Sequence, residues 1–127
     1  MDITTKIAQA HTRHYLAIET IMADVVGEEH PQGSLLVDMC DYHLGTGGKR
    51  LRALLPVLLA EALDVDTTQI YPFAAACEML HNATLVHDDV QDGDTARRGH
   101  PTVWVKYSSP QAINLGDAMY FYALLCL

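Results

Sequence analysis

The segment QIYPFAAACEMLHNATLVHDDVQ, residues 69–91, constrains the fold more than any other part of the chain. It contains no glycine and a single proline near its start, and apolar residues occupy most faces of the helix that it would form. A helix that is apolar on most sides has to be surrounded by other elements rather than rest on one surface. The sequence therefore predicts that this helix lies at the centre of the fold.

The other segments also show helical spacing of apolar residues. Further helices are predicted over residues 3–26, 34–44, 49–63 and 110–127. Gly27 is expected to end the first helix. Residues 102–107, TVWVKY, are the only candidate strand. The sequence therefore predicts an all-α fold, an antiparallel helical bundle of at most one domain.

Charge and composition argue against several kinds of partner and location. The formal net charge is −8, which is unsuited to non-specific binding of nucleic acid or of an anionic membrane surface. No apolar run approaches the length of a transmembrane segment. The three cysteines form no CxxC pair, and the N-terminus MDITTKIAQA lacks the apolar core of a secretory signal. We therefore expect a reducing, cytoplasmic location.

Four aspartates lie close together at the end of the central helix, in LVHDDVQDGD. Like charges this close repel unless a cation lies among them. Asp88 and Asp92 are four residues apart, so they project from one helix face, about 6 Å apart along the axis. Mg²⁺ usually takes only one or two carboxylates together with phosphate and water. The spacing favours a Mg²⁺ site at Asp88 and Asp92, and a solvated acidic helix end is the alternative.

Basic residues form two groups that suit a phosphate ligand. Lys49 and Arg52 lie in GGKRLR, where a glycine break opens a helix whose first N–H groups can bind an anion. Arg50 is expected to point elsewhere, at the surface. Arg97 and Arg98 follow the aspartates, and their rigid guanidinium groups match phosphate oxygens. A solvated basic face for the first group and a local Asp–Arg salt-bridge network for the second remain open.

Four motifs in order, GGKRLR, LHNATLVHDDVQD, ARRGHPT and GDAMY, lie within residues 45–120. Together they resemble the N-terminal half of a trans-isoprenyl diphosphate synthase (polyprenyl synthetase). The resemblance implies an all-α bundle of the isoprenoid synthase type around a deep cavity, of which residues 1–127 would form the N-terminal part of a single domain. It also implies a Mg²⁺-dependent condensation of an allylic diphosphate with isopentenyl diphosphate.

The same resemblance implies roles for individual residues. Asp88 and Asp92 would ligate Mg²⁺, with Asp89 supporting them. Arg97 would hold the allylic diphosphate. The residues that would hold isopentenyl diphosphate are Gly48, Lys49, Arg52, His81 and Arg98. No residue of this chain is assigned a catalytic role.

The second aspartate-rich motif of that family is missing from residues 1–127, and the chain ends on the apolar segment AMYFYALLCL. We therefore expect that the fold is truncated and inactive alone. We also expect that this segment is buried in a homo-oligomer or in a complex with the missing C-terminal half. The alternative is a non-catalytic Mg-diphosphate-binding or partner subunit of a heteromeric synthase.

Small residues precede the first aspartate by five and four positions, at Ala83 and Thr84. In the family that the chain resembles, bulky residues near these positions stop the growing product. The resemblance therefore implies a product of geranylgeranyl length or longer, with room for its tail along the aspartate-bearing helix. The alternative is that the product is stopped from the last helix, where Tyr120, Phe121 and Tyr122 are the candidates.

Overall fold

The chain folds into a series of helices, and a computed structural model describes residues 1–31 and 33–127 of it. These residues form α1 (Ile3–Glu29), α2 (Leu35–Gly45), α3 (Leu51–Ala62), α4 (Tyr71–Asp92), α5 (Val103–Lys106) and α6 (Ser109–Leu125). A 3₁₀ turn (Thr67–Gln69) precedes α4, and an antiparallel hairpin of β1 (Ala96–Arg97) and β2 (His100–Pro101) follows it. The all-α prediction is confirmed. In the part of the chain that is described, no helix has both the length and the hydrophobicity that a membrane crossing requires.

Helix α4 lies at the centre of the fold, as its apolar faces predict. It packs against α1, α3, α5 and α6, and α6 is its most extensive neighbour. Its buried side chains include Ala75, Met79 and Val86. Burying one large apolar side chain contributes about 1.5–3 kcal/mol. The helix is thus a fixed support for the aspartates at its C-terminal end.

The first helix is longer than predicted. It continues past Gly27 to Glu29, and His30 then adopts an extended backbone with φ −136° and ψ 145°. Pro31 follows His30, and a residue before proline is pushed out of the helical region. One glycine inside a helix costs only about 1 kcal/mol. Proline rather than glycine therefore sets this boundary, and the prediction for Gly27 was wrong.

The candidate strand at residues 102–107 was also wrong, because Val103–Lys106 form the short helix α5. The Thr102 hydroxyl and the Trp104 indole N–H both donate to the Asp94 carbonyl oxygen, at 2.8 Å and 2.7 Å. The Tyr107 N–H donates to the Val103 carbonyl, at 2.8 Å. The first two bonds hold the segment against the loop after α4. The third pairs backbone groups within a helical turn, so they do not pair with a neighbouring strand.

Helix α6 contacts α4 through Gly116. A Cβ atom added to Gly116 would lie 2.1 Å from two atoms of the His87 ring on α4. The His87 Nε2 atom also lies 3.1 Å from the Ile113 carbonyl oxygen, which holds the ring against α6. Only a residue without a side chain allows this approach.

Replacing Gly116 with alanine should lower the free energy of unfolding by about 1–3 kcal/mol, because the added methyl group would collide with the His87 ring. The same substitution at Gly27 should raise it by about 0.5–1 kcal/mol, because Gly27 lies within α1 and a Cβ there meets nothing within 4 Å. Urea unfolding measures both changes. Effects of the same sign at both glycines would contradict the close contact of α6 with α4.

Candidate functional site

A pocket of about 450 Å³ opens beside the first turn of α3. Its lining consists of Thr46, Gly48, Lys49, Arg50, Leu51, Arg52, Glu78, His81 and Arg98. Five of these, Gly48, Lys49, Arg52, His81 and Arg98, are the residues expected to hold isopentenyl diphosphate. They come from the loop before α3, from α3 itself, from α4 and from the hairpin turn. The fold thus brings together residues that are up to about fifty positions apart in sequence.

Position 48 requires glycine for two reasons, its backbone conformation and its contact with the Arg98 side chain. Its φ of +127° is in a region that residues with a side chain rarely adopt. A Cβ atom there would also lie 2.9 Å from the guanidinium carbon of Arg98. The Arg98 guanidinium therefore packs directly over the Gly48 backbone, and its Nη1 atom donates to the Thr46 hydroxyl at 3.3 Å.

The two consecutive arginines are separated by a tight hairpin turn. Arg98 and Gly99 form the two-residue connection between β1 and β2, with φ values of +51° and +78°. Positive φ at both positions is the signature of a type I′ turn. The turn directs Arg98 into the pocket, whereas Arg97 donates from Nε and Nη2 to the two carboxylate oxygens of Asp89, at 2.9 Å and 2.7 Å.

Arg97 therefore does not line the pocket. The contact of Arg97 in this chain is the Asp–Arg salt bridge that the sequence left open as an alternative. Asp89 is buried, and Arg97 holds its carboxylate in a bidentate pair. This hydrogen bond with Asp89 also raises the pKa of Arg97. The pair joins the hairpin to α4, so it fixes the direction in which the neighbouring Arg98 points.

Asp88 and Asp92 lie on the exposed side of the last two turns of α4. Asp88 is seven residues after His81, which is about 10 Å along the helix axis. Among residues 1–31 and 33–127, no group of three or more His, Cys, Asp or Glu side chains is arranged to hold a metal. Two accessible carboxylates one turn apart nevertheless match the sparse donor set of Mg²⁺, which takes its other ligands from phosphate and water.

The expectation that Arg50 lies at the surface was wrong. Only 7% of it is exposed, and its guanidinium lies 5.4 Å from the centre of the Tyr15 ring. Its Nη1 atom donates to Glu78 at 3.4 Å, and its Nη2 atom donates to the Leu44 carbonyl oxygen. The backbone of Arg50 is left-handed, with φ +57°, and this turns its side chain inward. Local helical spacing gives no indication of such a reversal.

Sequence reasoning also missed Glu78 and Asn82, which are buried on α4. Two polar residues four positions apart in the apolar segment AAACEMLHNATL were the available signal. A polar pair on one face of a buried helix has to find partners, because an unpaired buried polar group is costly.

The electrostatics of the pocket favour an anion. Lys49, Arg52 and Arg98 bring three cations near one another beside the pocket. Burial, and then the charge of Arg52, lower the pKa of His81, while burial and the charge of Arg50 lower the pKa of Arg98. Burial is the larger cause of both shifts, and repulsion from the neighbouring cations is the second. A multiply charged anion would relieve this repulsion.

The comparison with known families identifies the chain. Residues 33–127 match the family model described as polyprenyl synthetase. The chain belongs to the polyprenyl synthetase family. The resemblance inferred from the four motifs is therefore confirmed.

Similar proteins in this family are longer than the chain. It is 48% identical over 85 residues to the geranylgeranyl diphosphate synthase of Saccharolobus solfataricus, an alignment that covers 66% of this chain and 26% of that protein. A crystal structure of a geranylgeranyl pyrophosphate synthase aligns with 99% of this chain and 36% of its own, at a TM-score of 0.82 and 31% identity. The chain thus spans about a quarter of the length of its curated relative.

A third polyprenyl synthetase relative was solved with ligands. The polyprenyl synthase of Caulobacter crescentus was crystallised in complex with calcium and isoprenyl diphosphate. It aligns with 96% of this chain and 36% of its own, at a TM-score of 0.87 and 26% identity. The all-α fold of the family therefore extends over nearly the whole chain.

The stability of this polyprenyl synthetase chain should fall as the pH drops from about 6.5 to about 4. Burial lowers the pKa of His43 from 6.5 to about 4, so in this range the unfolded chain binds a proton that the folded chain does not. The contribution is about 1.4 kcal/mol per pH unit. Urea unfolding of the native protein and of His43→Gln should give pH profiles that diverge there. Parallel profiles would show that His43 is not buried in its neutral form.

Proposed function

We propose that the whole protein is a trans-prenyltransferase that condenses an allylic diphosphate with isopentenyl diphosphate, using Mg²⁺, to make a longer polyprenyl diphosphate. The observation that carries the proposal is the pocket beside α3, where the five expected diphosphate-binding residues meet. Two accessible carboxylates on α4, those of Asp88 and Asp92, add a metal-binding face further along the helix that carries His81. A cation pocket next to a carboxylate pair is what a metal–diphosphate reaction needs.

In this proposal the pocket holds the diphosphate of isopentenyl diphosphate. Lys49, Arg52 and Arg98 supply charge, and His81 supplies a ring N–H as a neutral donor, consistent with its lowered pKa. The N–H groups of Leu51 and Arg52, the first two of α3, precede the hydrogen-bond ladder of the helix and would bind an anion, whereas the N–H of Ala53 is bonded to Glu78. Because Gly48 has no side chain, the Arg98 guanidinium packs over its backbone, which holds this cation at the pocket for a phosphate.

The other substrate would lie over the end of α4. Asp88 and Asp92 would hold Mg²⁺, which would supply charge neutralisation for the departing diphosphate. Arg97, oriented by Asp89, would contact the allylic diphosphate from the hairpin. As the allylic carbon–oxygen bond breaks, the diphosphate leaves with the electron pair. The double bond of isopentenyl diphosphate then bonds to the allylic carbon, and a proton is lost.

The role of these side chains is positioning and charge stabilisation. The apolar residues of α4 that precede Asp88 would form one wall for the hydrocarbon chains and keep water from the reacting carbons. No residue of this chain is proposed as the base that takes the proton.

Asp88→Ala and Asp92→Ala should each abolish the coupling between Mg²⁺ and pyrophosphate binding in the whole protein, and each should lower turnover by at least roughly 100-fold. Native protein should bind the two ligands together more tightly than either alone, because each supplies the counter-charge of the other. Isothermal titration calorimetry measures the coupling. Asp94→Ala is the matched control, since Asp94 is an exposed aspartate of the adjacent loop.

Equal losses from all three substitutions would indicate a general effect of charge rather than a site at Asp88 and Asp92. Arg50 is unsuitable as a neutral control because it is buried in an ion pair.

We also propose a product of geranylgeranyl length or longer. Of the two small residues considered for the cavity floor, Ala83 is fully buried in the core of this chain. A bulky residue there would disturb packing rather than only shorten a cavity. Thr84 is half-buried, and its hydroxyl donates to the His81 carbonyl oxygen at 2.6 Å. One helical turn before Asp88, it is the better position at which to test product length.

Thr84→Phe should shorten the product, because the ring would fill space beside α4 that small side chains leave open. The whole protein is incubated with isopentenyl diphosphate and geranyl diphosphate, and the products are separated by chromatography. Thr20→Phe, on the exposed surface of α1, should leave product length unchanged. A native protein that stops at farnesyl diphosphate, or a Thr84→Phe variant with unaltered products, would contradict this assignment.

We propose that the large apolar surface at the end of α6 is covered by a second copy in a homo-oligomer or by the missing C-terminal half. Phe121, Leu124, Leu125 and Leu127 are each more than half exposed in this chain. Exposed apolar patches of this kind mark protein–protein contacts. A monomer of the whole protein in sedimentation experiments would contradict the homo-oligomer.

A cytoplasmic location is proposed because Cys40, Cys77 and Cys126 are all free thiols. Recovery of the protein from an oxidising compartment in cell fractionation would contradict it.

A further inference from the structure

Four polar side chains are buried at the pocket: two of them form its inner wall and two lie behind that wall. His43, Arg50, Glu78 and Asn82 are between 0% and 7% exposed. They come from α2, from the loop before α3 and from α4. Burying charged groups costs several kcal/mol per ion unless they are fully paired. Their partners therefore indicate what the cluster does.

Glu78 is the centre of this buried network. Its Oε1 atom accepts hydrogen bonds from Arg50 Nη1 at 3.4 Å and from Asn82 Nδ2 at 3.1 Å. Its Oε2 atom accepts from the backbone N–H of Ala53 at 3.2 Å. This last bond places a carboxylate of α4 at the N-terminus of α3, where it takes the place of an N-cap side chain. One side chain thus joins α4 to both the loop and the first turn of α3.

Asn82 and His43 extend the network to α2. The Asn82 amide donates to the Glu78 carbonyl oxygen at 2.8 Å, so its Oδ1 atom is left to accept from His43 Nε2 at 2.9 Å. This arrangement requires a proton on Nε2 of His43, and burial, which lowers the pKa of His43 to about 4, keeps the ring neutral at higher pH. Arg50 completes the connection through the Leu44 carbonyl at the end of α2.

The network also separates the ligand-facing cations from the buried one. Arg50 points inward to Glu78, while Lys49 and Arg52 on either side of it are exposed and line the pocket. The left-handed backbone at Arg50 makes this division possible. If Arg50 lost Glu78, only the Leu44 carbonyl and the Tyr15 ring would hold its side chain inward, and the positions of both neighbours would change.

We propose that Glu78 and Arg50 are positioning residues: their buried ion pair, supported by Asn82 and His43, holds Lys49 and Arg52 in the geometry that binds diphosphate. The inference rests on the proposed function of the pocket. Both residues lie on the inner wall of the pocket. In this proposal they act through Lys49 and Arg52, because the Arg50 guanidinium is directed to Glu78 and to the Leu44 carbonyl.

Positioning and simple electrostatics predict opposite results for one substitution. Glu78→Gln removes a negative charge from the lining of an anion pocket, so charge alone predicts tighter binding of pyrophosphate. If Glu78 acts by holding the loop and α3 in place, the same change should weaken binding. The sign of the effect therefore distinguishes the two accounts.

The experiment measures the dissociation constant of inorganic pyrophosphate by calorimetry in the whole protein, at a temperature where circular dichroism shows each variant to be folded. Glu78→Gln should raise it roughly tenfold or more. Arg50→Lys, which preserves net charge and perturbs the fold less, should also raise it, because lysine lacks the fork that reaches both Glu78 and Leu44.

Glu61→Gln is the control, because Glu61 pairs with Arg13 and His14 outside the pocket. This substitution changes the net charge by the same amount as Glu78→Gln. It should leave the dissociation constant of pyrophosphate unchanged even where it lowers stability. Unchanged or tighter binding by Glu78→Gln, or by Arg50→Lys if Glu78→Gln does not fold, would overturn the positioning role. A native protein that does not bind pyrophosphate would instead contradict the proposed function of the pocket.

Discussion

The hydrogen bonds of the Glu78 carboxylate are the contacts on which the candidate site depends. One buried side chain of α4 caps α3, pairs with Arg50 and orients Asn82. An apolar cluster in the same place could pack as tightly and would avoid the desolvation of two charges. It could not, however, specify the direction of the loop before α3. The buried pair therefore fixes the direction of the loop and lowers the stability of the fold to some extent. Such a pair suits a site where several cations, here Lys49, Arg52 and Arg98, are held close together.

Helix α4 links this network to the rest of the site. It carries Glu78 and Asn82 on a buried face, His81 at the pocket and Asp88 and Asp92 at its exposed end. The contact of Gly116 with His87 fixes α6 against the same helix. Because His81, Asp88 and Asp92 share one rigid element, the spacing between the α4 side of the pocket and the carboxylates is set by helix geometry. A reaction that requires two diphosphates to be held apart benefits from such a fixed distance.

Helical periodicity was sufficient to predict the central position of α4, since its apolar faces leave no other location. The resemblance carried by the four motifs implied the set Gly48, Lys49, Arg52, His81 and Arg98, and these five residues line one pocket. The inward turn of Arg50 was not predictable, because a positive φ at arginine is imposed by contacts with Glu78 and Leu44 rather than by local preference. The capping of α3 by Glu78 was missed for the same reason. Its partner Ala53 is 25 positions away, and sequence spacing does not report such a contact.

The most direct test is a crystal structure of the whole protein with Mg²⁺ and pyrophosphate. The account predicts phosphate oxygens within hydrogen-bonding distance of Lys49, Arg52 and Arg98, with Arg50 still bonded to Glu78 behind them. An Arg50 side chain turned outward to contact the phosphate, or a pyrophosphate bound away from this pocket, would contradict it.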